Sequence, residues 1–109
     1  MTDVQVKQLK IRTGVVRRLV KEKQAYEKEA VDLEQKVEKM KTDGKDEYDI
    51  RKQTEVLQES KAMIPDTLKR LKTAYAELEQ LIQTSAELHE SEEYVAAQNV
   101  MESAKAVLA

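Results

Sequence analysis

The chain holds a single histidine, His89, and no cysteine. Thiol nucleophiles, thiolate metal sites and disulfides are therefore absent. No serine stands at a motif spacing that would join His89 in a nucleophile and base pair, so His89 reads as an exposed loop residue. Gly14 and Gly44 are isolated from each other, which leaves no glycine-rich loop to cradle a phosphate. Asp43, Asp46, Glu47 and Asp49 form an acidic cluster. They lack the ligand spacing and closing bidentate glutamate of a calcium loop, and read as helix caps and solvated surface. Glu92 and Glu93 are neighbours in sequence, so on a helix they point apart and make no acid and base couple. These residues imply no enzyme, no cofactor and no metal.

The remaining chemistry is charge. Lys10, Arg12, Arg17, Arg18, Lys21 and Lys23 form a basic run inside a chain whose net charge is −2. Residues 1–41 hold 11 Lys/Arg against 7 Asp/Glu, residues 42–82 hold 7 against 9, and residues 83–109 hold 1 against 5. The asymmetry is met either internally, by an acidic helix lying beside the basic one, or externally by an acidic partner. Nucleic acid would call for a basic domain with stacking aromatics, yet the pI is about 5.5. A membrane-surface helix would need a wider apolar face with bulky aromatics. Neither partner is expected, which leaves a solvated helix face or docking onto an acidic protein.

Long helices must carry these residues. Ile50, Leu57, Ile64, Leu71 and Leu78 recur every seventh residue, and Thr54, Lys61, Leu68, Tyr75 and Ile82 follow four residues after each. That spacing lays one apolar stripe along a helix and excludes a strand. Pro65 falls in its middle, where a proline removes a donor and crowds the carbonyl of Lys61. The unbroken register favours one kinked helix. The rival places Ile64 in extended conformation, with Pro65 and Asp66 opening a new helix.

Leu9, Val16, Ala30 and Val37, with Leu19, Tyr26, Leu33 and Met40, stripe a first helix over residues 3–41. Arg12 and Lys23 interrupt the stripe and are expected to snorkel. Gly14 reads as a tolerated helix defect or as a point of close helix approach. The first loop, residues 42–47, has Gly44 for a left-handed cap and Asp46 or Asp49 for the next helix start. So short a loop makes the second helix, over residues 48–83, antiparallel to the first. Ser91 suits the N-cap of a third helix over residues 92–108, striped by Tyr94, Ala97, Met101, Ala104 and Leu108. Being about half as long at 1.5 Å per residue, it should leave the far ends of the other two as a bare pair.

The fold class expected is all-α: an antiparallel three-helix bundle in one domain, 1–109, with two long helices, the second kinked at Pro65, and a shorter third. A composition of 40% hydrophobic and 37% charged residues with 4% aromatics suits such helices. No run of about 18 apolar residues occurs, and the residues up to Lys10 lack a signal-peptide core, so a soluble intracellular chain is expected. Val56, Met63 and Leu81 lie beside the main stripe, where they widen the core or form a dimer seam. Monomer and homodimer both remain open.

Three blocks of residues carry a family resemblance. The run Ile11–Lys23 followed by Tyr26–Ala30 resembles the first helix of the tubulin-binding cofactor A (tubulin-specific chaperone A) family. Tyr48–Ser60 with Met63-Ile64-Pro65-Asp66 resembles its second, and Glu92-Glu93-Tyr94 its third, while the segment from Gln98 onward matches less well. The resemblance implies a three-helix, non-enzymatic cytoplasmic protein, associated with the cytoskeleton. It implies binding of β-tubulin after release from the chaperonin and transfer to the other tubulin-folding cofactors that assemble the αβ heterodimer. It also implies contacts through outward helix residues. The expected set is Lys10, Arg17, Arg18 and Lys21 on the first helix, with Tyr48, Lys52, Glu55, Glu59 and Lys61 on the second. The alternative is a structural coiled-coil module that self-associates or docks in another assembly. A prefoldin-like chaperone would need β-hairpins, and no segment reads as a strand.

Overall fold

The computed structural model describes residues 2–109. The described residues form three helices and no strand: α1 (Thr2–Thr42), α2 (Glu47–Thr84) and α3 (Glu92–Leu108), with a 3-10 turn at Ala86–Leu88 before α3. The boundaries expected from sequence lie within one residue of these. α2 runs unbroken through Pro65, so one continuous helix replaces the alternative in which Pro65 opens a new one.

The helix ends follow from local chemistry. Gly44 takes φ +69°, a conformation that costs an L side chain about 1–2 kcal/mol. The N–H of Lys45 donates to the carbonyl of Met40 at 3.0 Å, and that of Gly44 to Lys41 at 3.1 Å. This paired closure satisfies carbonyls that the end of α1 would otherwise leave bare. Asp46 then starts α2, its Oδ1 accepting from the Tyr48 N–H at 2.8 Å; Asp49 lies inside the helix. Ser91, extended at ψ 150°, caps α3, its Oγ accepting from the Tyr94 N–H.

The chain divides into two compact units, one comprising the residues up to Lys21 with Leu68–Ala109, the other Glu22–Thr67. The first contains parts of all three helices. Leu9, Val16 and Leu19 of α1, Leu71, Ala74 and Leu78 of α2, and Ala97 and Ala104 of α3 form its buried core. Leu81 and Met101 pack against that core, so Leu81 widens it. The second unit holds segments of α1 and α2 only, packed on Ala30, Val37 and Leu57 with Leu33, Ile50 and Ile64 around them. A helix pair without α3 is what the short third helix implies.

One detail of the stripe differs from its sequence reading. Ser60, Thr67 and Ala74, three residues after Leu57, Ile64 and Leu71, are buried, whereas Lys61 is exposed and Leu68 and Tyr75 only half-buried. On α1, Thr13 is likewise buried where Arg12 is exposed. Small residues occupy the most buried line of the stripe and bulkier neighbours flank it, since a short side chain leaves room for a facing helix. Lys23 does snorkel: its side chain is 12% exposed, and its Nζ reaches Glu27 at 3.2 Å.

The hydroxyls of Thr13, Ser60 and Ser85 are buried without a hydrogen-bond partner. A hydroxyl in that state subtracts from stability. Thermal melts should therefore separate two truncations. Leu71→Ala, at a fully buried position, should cost about 3 kcal/mol. Ser60→Ala should leave stability within about 0.5 kcal/mol of the parent or raise it.

Candidate functional site

All nine residues expected to meet a partner are exposed. On α1, Lys10, Arg17 and Lys21 fall within about 40° of one another at 100° per residue and form one basic edge. Arg18 lies about 60° beyond Lys21, on the outer face. Among the described residues, Lys10, Arg17 and Lys21 have no ion-pair partner. Lys10, Thr13 and Arg17 border a shallow groove whose other wall is Glu92, Glu93 and Ala96 of α3. The acidic start of α3 therefore lies beside the basic edge of α1, the internal arrangement that the charge distribution allows, without removing the edge from solvent.

The run from Val4 to Lys21 contains Lys7, Lys10, Arg12, Arg17, Arg18 and Lys21 and neither Asp nor Glu. Lys7 belongs to this surface although its charge lies outside the run read from sequence. Arg12 is bonded to the Glu77 carboxylate of α2.

On α2, Tyr48, Lys52, Glu55 and Glu59 recur at spacings of four, three and four, all within about 60° on one exposed ridge. The Lys52 ammonium sits 5.5 Å from the centre of the Tyr48 ring, a cation–π arrangement that holds the two together. Tyr48 is 59% exposed, a large amphipathic surface of the kind that anchors interfaces. Glu59 also borders a groove with Tyr26, Glu29, Val56, Ser60 and Met63. Lys61 does not join the ridge. It projects from another side of α2, and its Nζ lies 3.5 Å from Glu34 of α1.

Apolar residues that the stripe left out also reach solvent, notably Val4, Ile11, Val31 and Val56. Their signal in sequence is their position off the buried register. Among the described residues no group of three or more His, Cys, Asp or Glu gathers to hold a metal, and no helix is long and apolar enough to cross a membrane. The arrangement offers separate charged ridges suited to a protein surface.

The profile of the tubulin binding cofactor A family matches residues 4–101. The chain belongs to the tubulin binding cofactor A family. Tubulin-specific chaperone A of Gallus gallus is 53% identical over 105 residues, covering 96% of this chain and 97% of the relative. The structure of human tubulin chaperone cofactor A is similar with a TM-score of 0.79 and 51% identity, over 93% of this chain and 98% of that one. A β-tubulin binding post-chaperonin cofactor is similar at TM-score 0.78 and 32% identity, over 93% and 97% of the two chains. The tubulin binding cofactor A match runs past Gln98, the residue after which the sequence resemblance thins.

The Arg12–Glu77 pair tests how much of this charged surface supports the fold. Their side chains are 44% and 49% exposed, and water screens such a pair strongly. A double-mutant cycle on Arg12→Ala and Glu77→Ala should give a coupling below about 1 kcal/mol. A larger coupling would make the pair structural.

Proposed function

We propose that this protein is a non-enzymatic tubulin-folding cofactor that binds β-tubulin after its release from the chaperonin. It holds the subunit until the other tubulin-folding cofactors assemble it with α-tubulin. The work is stoichiometric, done by a surface, and takes place in the cytoplasm beside the cytoskeleton.

The family match over residues 4–101 carries this reading, and likeness to a β-tubulin binding post-chaperonin cofactor adds the client. The physical support is the α1 surface, where cations stand on five helical turns without a carboxylate among them. An acidic client approaching that surface is steered towards it and selected by charge, while the polar contacts keep affinity modest and release feasible. On α2, the Tyr48, Lys52, Glu55 and Glu59 ridge supplies mixed charge and one aromatic anchor for the same client, with Lys61 at a separate position.

Neutralising the edge tests the reading. The triple variant Lys10→Gln, Arg17→Gln, Lys21→Gln removes three exposed charges that have no ion-pair partner among the described residues, so helicity by circular dichroism should be unchanged. Capture of β-tubulin made in a eukaryotic cell-free translation system should fall, and its dependence on salt should flatten. Full capture by the triple variant would remove α1 from the docking surface.

A further inference from the structure

Gly14 stands in the interior of a 41-residue helix, where glycine is less favourable than alanine by about 1 kcal/mol. Packing among the described residues does not require it, since a Cβ built there would meet no atom within 4 Å outside its own stretch of helix. The residues that share its face explain it better. Val4, Lys7, Ile11, Gly14 and Arg18 follow one another at spacings of three, four, three and four, the repeat that lays a contact seam along a helix. This strip lies on the far side of α1 from the buried residues Leu9 and Val16, and about 100° round from Leu19. Val4 is 62% and Ile11 47% exposed, so two branched apolar side chains on the strip are left largely open by the other described residues. The basic edge of Lys10, Arg17 and Lys21 runs along one side of it.

We propose that this strip is a seat for an α-helix of the acidic client, crossing α1 at Gly14. The absence of a Cβ lets the two backbones approach more closely than the 8–10 Å usual for packed helices. Val4 and Ile11 then cover an apolar stripe on the incoming helix, and Lys7, Lys10, Arg17 and Lys21 meet carboxylates along its flank. Charge complementarity selects the occupant: no Asp or Glu lies between Val4 and Lys21, so a basic or neutral helix would leave these cations unpaired. The proposal rests on the reading of α1 as a client-docking surface, and adds which element of the client docks and where.

The test is a pair of Gly14 substitutions measured beside the glutamine triple variant. Gly14→Ala should raise the melting temperature by about 4 °C, because its Cβ enters open space on a helix. Gly14→Leu should retain full helicity, yet lose β-tubulin capture by about tenfold or more, because its side chain blocks the crossing. Full capture by Gly14→Leu, with capture lost in the triple variant, overturns the helix seat and leaves the docking surface standing. Full capture by both overturns the seat and the α1 surface together, and absence of capture by the parent protein overturns the proposed function itself. If light scattering finds a dimer that Gly14→Leu dissociates without changing capture, the strip belongs to a second copy and the proposal fails.

Discussion

Burial of small side chains on the helix faces that form the core is the constraint on which the rest of this protein depends. Ser60, Thr67 and Ala74 of α2, Thr13 and Ala30 of α1, and Ala97 and Ala104 of α3 are buried between larger aliphatic neighbours. Each contributes little apolar area of its own. Their value lies in admitting the Leu and Val side chains of the facing helix into contact at close range, since dispersion falls steeply with distance. Two of them, Thr13 and Ser60, carry buried hydroxyls without a partner among the described residues, so this packing is reached at some loss of stability.

A core built in this way uses only one face of each helix and leaves the others to solvent. With 37% of its residues charged, the molecule has outer faces that are mostly ionic, and their ion pairs are exposed ones that contribute little to folding. Charge on those faces is therefore free to vary without endangering the fold. The basic edge of α1 and the Tyr48 ridge of α2 show this separation: neither removes a residue from the core. Under the proposed function, a partner bound through such charged ridges is held by contacts that salt weakens.

The two glycines illustrate how one residue type serves opposite needs. Gly44 is required by backbone conformation, its φ of +69° closing the end of α1. Gly14 lies in a regular helix where an added Cβ enters open space, so its value lies in what it leaves out. Conformation accounts for the first entirely within the chain. The second has meaning only with a neighbour across the helix surface.

Much of the architecture was legible from the residues alone, because helix register and capping depend on local chemistry. The heptad spacing of Leu57, Leu71 and Leu78, the left-handed Gly44, an aspartate cap at Asp46 or Asp49, the Ser91 cap and the short third helix are all set by side chains within a turn or two. Continuity through Pro65 followed from the unskipped register. The sequence could not tell which member of each neighbouring pair, Ser60 or Lys61, Thr67 or Leu68, Ala74 or Tyr75, occupies the most buried line. Apolarity favours the larger residue, whereas helix separation selects the smaller, and that separation exists only once helices pack. Surface grouping was decided in the same way. Composition marked Lys10, Arg17 and Lys21 as basic, but tertiary packing turned them outward on one edge, set Lys61 against Glu34 and left Val4 and Ile11 uncovered, because exposure is a property of which faces meet.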